Sequence, residues 1–286
     1  MIIQSKNFNI QQIADSGQCF RMNKIGNNKY SLVAYNKYIE LAQVDRELVE
    51  ISCSSQDYDE IWKEYFDLDF DYGIIVDRLL RGPDEFLRKA VQFGDGLRIL
   101  KQEPFETLIS FIISQNKNIP AIKRSIEKIC ERYGEQKEWN GIYYYTFPTP
   151  EQLADAREEE LRSTGLGYRD EYVIKAARAA LKGDLNLGAL KDCCYKEAIT
   201  QCKGLRGVGD KVASCIALYG LHHLDAVPVD VWISRTIEKI YNYNFDWEVY
   251  NGYAGIVQQY MFYYIRNIRN GSLMKDGGED EIHRKA

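Results

Sequence analysis

The sequence predicts an α+β protein: a small antiparallel β-sheet in an N-terminal domain, packed on a mostly α-helical body. Three observations carry this reading. Residues 29–53 are rich in Tyr, Val and Ile in short alternating stretches, the pattern of paired strands. From about residue 57 onward, apolar residues recur at three- and four-residue steps, the pattern of helices. Strand-like and helix-like segments are segregated along the chain, not interleaved.

The elements follow in order. The strand region is broken at Asn36-Lys37 and Val44-Asp45-Arg46. Pro104 opens a helix whose Phe105, Leu108, Ile109, Ile112 and Ile113 fall on one repeating face. A second such segment, from Ile119, stops at Gly134. Pro148 and Pro150 mark a loop, and Pro150 starts another helix. Further helices are expected at about 171–182, 194–202, 210–221, 231–241 and 248–268. The run KDGGEDEIHRKA near the C-terminus is expected to be mobile. The division expected is 1–100 for the β-containing domain with its following helices and 101–286 for the helical domain.

Composition bounds the function. The chain has 286 residues, 45% hydrophobic and 28% charged, enough for a globular core. No run of 18 apolar residues exists, so no membrane partner is expected. The start, MIIQSKNFNIQQ, lacks a basic-then-apolar leader, so a cytoplasmic location is expected, beside the nucleoid or in a nucleus. Seven cysteines with no C-x-x-C argue against a disulfide framework and against an iron–sulfur cluster. The three histidines (His222, His223, His283) have no metal-ligand spacing. Net charge is −5, but residues 57–85 hold ten acids against three bases. The remainder therefore sums to +2, and residues 161–182 carry five bases against two acids. Phosphate attraction follows the local field, so nucleic acid is not excluded.

The chemistry concentrates in residues 202–241. Gly204, Gly207 and Gly209 form a tight turn between two helices, and amides at the following helix start suit an anion such as a DNA phosphate. A nucleotide phosphate loop wants G-x-x-x-x-G-K-[ST]; Gly209 is instead followed by Asp210, Lys211 and Val212. Read alone, the turn is equally an ordinary helix–helix connection. Lys211 lies in the first turn of the second helix, where positive potential favours an uncharged, nucleophilic amine. Asp230 follows Val227-Pro228-Val229 at the position of an N-cap. An Asp there can cap the helix, and it can also shield an oxocarbenium-like cation.

The run GLRGVGDK…VPVD resembles the helix–hairpin–helix, Gly/Pro-Asp superfamily of DNA base-excision glycosylases. Within it, the chain resembles 8-oxoguanine DNA glycosylases, through SGQCFR (16–21), residues 96–118, GLGYRDEYV (165–173), the hairpin block (about 196–222, with the Pro-Asp loop 227–230) and YAGIVQQYMF (253–262). The resemblance implies a glycosylase and abasic-site lyase acting as a monomer on double-stranded DNA containing an oxidised purine. It makes Lys211 the nucleophile that forms a Schiff base and Asp230 the supporting carboxylate. Cys215, about 40° around the helix from Lys211, and Phe262 would sandwich the everted base. Tyr219, one turn further, would line the same space. The backbone carbonyl of Gly17 would accept the proton at position 7 that distinguishes the lesion from guanine, and Gln258 would read the Watson–Crick edge. Asn116 would fill the vacated stack, with Tyr168 as wedge and Arg169 toward the estranged cytosine. Gly207 and Gly209 would approach the backbone phosphates. No cofactor is required; the carbonyls of Lys203, Leu205 and Val208 match positions that hold a monovalent cation in relatives. A glycosylase of the same superfamily for another oxidised base and a non-catalytic DNA-binding module are the alternatives.

Two departures stand out. Ala121 occupies the position of a second cytosine-reading arginine in eukaryotic members, and Trp232 that of a histidine in animal enzymes. The Ala121 departure predicts a weakened preference for cytosine opposite the lesion. Single-turnover cleavage with each of the four opposing bases measures it; a preference as sharp as that of a double-arginine relative would contradict it.

Overall fold

The computed structural model describes residues 1–268; His283 and the run KDGGEDEIHRKA lie outside the described residues. Five antiparallel strands, β1 (Ile2–Gln4), β2 (Met22–Gly26), β3 (Lys29–Ala34), β4 (Lys37–Gln43) and β5 (Leu48–Ile51), lie in the order β1-β5-β4-β3-β2. The break at residues 35–36 is a two-residue hairpin turn, with Tyr35 and Asn36 both at positive φ. Alternation sets the register: Leu32 pairs with Ile39 and Leu41 with Ile51, and all four are buried. Helix α1 (Ile10–Asp15), which the sequence reading did not anticipate, adds Ile10 and Ile13 to that core. Trp62, Tyr65 and Phe66 complete it.

The rest is helical. Helices α2 (Tyr72–Arg81) and α3 (Glu85–Phe93) pack into the core of the helical body, not that of the sheet. Helix α4 (Pro104–Ser114) is buried from Thr107 to Ile113 and runs through the centre. Helix α5 (Ile119–Tyr133) starts where Asn118 caps the Ala121 amide and stops at Gly134. A β-carbon at Gly134 would lie 2.1 Å from the Thr146 carbonyl, so no larger residue fits. A small hairpin follows, β6 (Gln136–Trp139) and β7 (Ile142–Tyr145), turning on Asn140-Gly141 at positive φ. This hairpin is an addition to the expected elements, and its Asn-Gly pair is the common signal for such a turn.

The later helices stand near their expected places. They are α6 (Arg169–Lys182), α7 (Tyr195–Lys203), α8 (Asp210–Cys215) and α9 (Val231–Tyr241). The expected helix 210–221 is α only to Cys215 and continues as a wider π-type turn, Ile216–Gly220. The expected helix 248–268 is a short 3-10 turn, Trp247–Tyr250, followed after a break by α10 (Ala254–Asn267). Among the described residues no helix is long and apolar enough to cross a membrane, and all seven cysteines are free.

Sheet and body are joined by Arg21, which is 1% exposed. It donates to Glu127 Oε1 at 3.2 Å and to the Tyr145 carbonyl at 2.6 Å. Beside it, burial pushes the Glu106 carboxyl from its ordinary 4.5 up to about 8, with Arg21 opposing. The folded protein thus keeps a proton that the unfolded chain releases. Its stability contribution is complete below about 4.5 and is lost as pH rises toward about 8. Glu106→Gln should therefore gain thermal stability relative to wild type on going from pH 5 to pH 8. An offset that stays constant across that range would contradict this.

Candidate active site

Helices α7 and α8 form the two arms of the hairpin. Gly207 stands at φ +86°, and a β-carbon there would lie 2.4 Å from the Tyr172 ring. Both facts require glycine, and both are internal to the fold. Gly209 differs: nothing lies within 4 Å of where its side chain would be. Its backbone is open to a neighbouring molecule.

Lys211 is half-buried, with its Nζ 5.2 Å from the centroid of the Phe111 ring. The Cys215 thiol lies one turn along α8, within reach of the Lys211 charge. Burial pushes that thiol up, and the Lys211 charge pulls it partly back. The residues expected to share a face therefore do so. Phe111 comes from α4 and is itself stacked on Tyr219, with centroids 5.5 Å apart and planes at 18°. Its role beneath the amine was not legible; in sequence it is one more apolar residue of a buried helix.

Asp230 caps α9, accepting the Ile233 amide at 2.9 Å. Burial raises its carboxyl above the usual range. The Ile233 and Trp232 amides and the charges of Lys211 and Arg266 act in the other direction. The cap and the amine thus face each other electrostatically. Trp232, at the departure noted above, contributes its backbone to the carboxylate while its ring packs on the helical core.

Helix α10 supplies the third wall. Gly255 lets it cross closely: a β-carbon there would lie 2.5 Å from Leu218 Cδ1 and 2.6 Å from the Ala226 carbonyl. Gln258 is 2% exposed, and its Oε1 has no hydrogen-bond partner among the described residues. A buried acceptor left unpaired costs roughly 1–3 kcal/mol, so it favours a donor arriving from outside. Phe262, one turn on, lies 3.6 Å from the β-carbon position of Gly17. Gly17 stands at φ +78°, and this conformation, more than space, requires glycine. Arg266 joins them, with its guanidinium 5.3 Å from the Phe262 centroid and within electrostatic reach of Asp230. The sequence reading did not mark Arg266, though its place four residues after Phe262 on one helix was a usable signal. Tyr219 is buried, and its hydroxyl donates to Gln259.

Two loops flank the hairpin. Asn116 stands at φ +50° and donates to the Tyr168 hydroxyl at 3.3 Å. Tyr168 is 53% exposed, as a wedge must be. Arg169 is instead buried: it donates to the Leu166 carbonyl at 3.0 Å and to that of Gln115, with its guanidinium 4.4 Å from the Tyr168 ring centroid. It sits behind the wedge and is not presented outward, because those carbonyls hold it. Lys117 adds a second tie, donating to Ser125 Oγ and the Gly165 carbonyl; burial, then Arg169, lowers its amine to about 8. Gln115 reaches the Gly207 carbonyl at 2.9 Å and joins this pair of loops to the hairpin.

Residues 1–108 match the family described as 8-oxoguanine DNA glycosylase, N-terminal domain. Residues 109–248 match the HhH-GPD superfamily of base excision DNA repair proteins. A solved Clostridium acetobutylicum 8-oxoguanine glycosylase/lyase, in complex with double-stranded DNA containing cytosine opposite 8-oxoG, is 35% identical. It aligns with a TM-score of 0.86 over 93% of this chain and 97% of its own. The chain belongs to the 8-oxoguanine glycosylase family of the HhH-GPD superfamily. The N-glycosylase/DNA lyase of Saccharomyces cerevisiae is 36% identical over 76% of this chain, which spans 61% of that relative's length. A Methanothermobacter thermautotrophicus relative named "Probable N-glycosylase/DNA lyase" is 34% identical, over 73% of this chain and 74% of its own length.

In this HhH-GPD chain the Asp230 side chain both caps a helix and faces Lys211, and the two roles separate by mutation. Asp230→Asn retains a capping oxygen and should keep stability within ~0.5 kcal/mol of wild type, whereas Asp230→Ala should lose ~1 kcal/mol. Denaturant melts measure both; equal losses would contradict the capping role.

Proposed function

We propose that this chain excises 8-oxoguanine from duplex DNA and then nicks the strand at the resulting abasic site. The observation that carries the proposal is the Lys211 amine set by the Phe111 ring and one turn from Cys215, with the half-buried Asp230 carboxylate within its electrostatic reach. Family membership and the likeness to a glycosylase/lyase solved on lesion DNA support it.

The lesion nucleotide is everted, because a stacked base is out of reach. The Lys211 nitrogen attacks the anomeric carbon as the glycosidic bond breaks. The base leaves with the bonding electrons and takes up the proton that the lysine nitrogen sheds on bonding to carbon. Asp230 shields the positive charge that develops on the sugar. The sugar ring opens, and the amine becomes a Schiff base. Loss of the proton at C2′ then expels the 3′ phosphate by β-elimination, and water releases the lysine.

Recognition follows from the other walls. Cys215 and Phe262 stack the base, and the unpartnered Gln258 Oε1 accepts from its Watson–Crick edge. The Gly17 carbonyl accepts the proton at position 7, where guanine offers only a lone pair. Tyr168 and Asn116 fill the opened stack, with Arg169 bracing them from within. The hairpin amides around Gly209 meet phosphate. In the hairpin the Leu205 carbonyl already accepts the Val208 amide at 3.1 Å, and among the described residues no donor meets the carbonyls of Lys203 or Val208. That donor set fits a monovalent cation, which would neutralise a DNA phosphate. The enzyme acts as a monomer wherever the DNA is, beside the nucleoid in the cytoplasm or in a nucleus.

Borohydride reduction tests the chemistry. Wild type with an 8-oxoguanine duplex should yield a covalent protein–DNA adduct. Lys211→Gln should yield none, and base release should fall by at least ~10³-fold while DNA binding is retained. DNA binding by wild type without adduct or base release would overturn the proposal in favour of a non-catalytic DNA-binding module.

A further inference from the structure

We propose that Gln259, held in place by Tyr219, is a positioning residue that sets lesion discrimination by fixing the peptide just before Gly17. This rests on the reading of Gly17 given above, and deepens it. Gln259 is 1% exposed. Its Nε2 donates to the Ser16 carbonyl at 2.9 Å, and its Oε1 accepts from the Tyr219 hydroxyl. The amide has one orientation only. A carbonyl cannot donate, so Nε2 must face Ser16; Oε1 then faces Tyr219, whose hydroxyl must donate. The chain of bonds is therefore directional, from Tyr219 through Gln259 to the loop.

The same loop is held from its other side. Gln18 is fully buried, and its carbonyl accepts Gln102 Nε2 at 2.7 Å. The Gln18 side chain is itself engaged, donating to the Arg98 carbonyl at 2.8 Å and accepting the Leu100 amide at 2.8 Å. The Gln102 backbone N–H in turn donates to the Tyr219 carbonyl at 3.2 Å. Two side-chain amides thus clamp the carbonyls of residues 16 and 18. Between them, among the described residues, no donor meets the Gly17 carbonyl. A single free acceptor between two fixed peptides is what selective recognition of one donor needs. Tyr219 also stacks on Phe111, the ring beneath the Lys211 amine. The discriminating loop and the nucleophile therefore share one rigid support.

Gln259→Leu keeps the volume and removes both bonds. In single-turnover assays it should lower the ratio of 8-oxoguanine to guanine excision by about 10-fold, mainly through slower release of the lesion. Nicking of a preformed abasic site should stay within about twofold of wild type, because that step needs no base recognition. Tyr219→Phe, which removes only the hydroxyl that orients the amide, should lower the same ratio by a smaller factor. An unchanged ratio in both variants would overturn the proposal. A parallel loss of lesion excision and abasic nicking in Gln259→Leu would also overturn it, as a purely structural effect. Failure of wild type to release 8-oxoguanine would instead reject the underlying functional reading.

Discussion

Helix α10 can start against Leu218 and the loop of Leu224 and Ala226, which follow the helix of Lys211, only because residue 255 has no side chain. Leu218 and the Ala226 carbonyl occupy the space that a β-carbon would need, and the Gly255 amide donates to the Leu224 carbonyl at 2.7 Å. This approach brings three chain segments, more than two hundred residues apart at the extremes, around one amine. Gly17 comes from the loop before β2, Lys211 and Cys215 from the hairpin, and Gln258 and Phe262 from α10. A protein interior is close-packed, so the spacing of two helices is set by their smallest contact. Chemistry at Lys211 is in this sense a consequence of packing at Gly255.

Electrostatics then act at short range. Asp230 is buried enough to resist ionisation, yet two backbone amides and two cations favour its charged form. A carboxylate stabilised in this way is preorganised: it need not gather solvent when positive charge appears on a sugar. Its use as a helix cap fixes its geometry without any further residue. Arg266 adds a cation that Asp230 feels on the Phe262 side of the site.

Local chemistry was legible in the sequence, and long-range contacts were not. Pro104 announced α4, the apolar repeat and Gly134 announced α5, and Asp230 announced α9, where the cap stands as its spacing placed it. The glycine hairpin with Lys211 was equally readable, because turn, helix start and nucleophile lie within nine residues. The Asn140-Gly141 hairpin was legible too, from its turn pair alone. Phe111, Gln259 and Arg266 carried none strong enough, since their roles depend on which distant segment meets them. Gln258 and Gln259 show the limit most clearly. They are neighbours of identical type, yet one has an unpartnered buried acceptor and the other has partners at both its oxygen and its nitrogen. Arg169 shows the converse: the resemblance put it toward the estranged cytosine, and the carbonyls of nearby Leu166 and distant Gln115 draw it inside.

The most direct measurement is a crystal structure of the Lys211→Gln protein bound to duplex DNA carrying 8-oxoguanine. The account predicts an extrahelical lesion stacked between Cys215 and Phe262. Its position 7 should lie within hydrogen-bond distance of the Gly17 carbonyl, with the anomeric carbon beside residue 211. A lesion still stacked in the duplex, or everted with residue 211 turned away from the sugar, would contradict it.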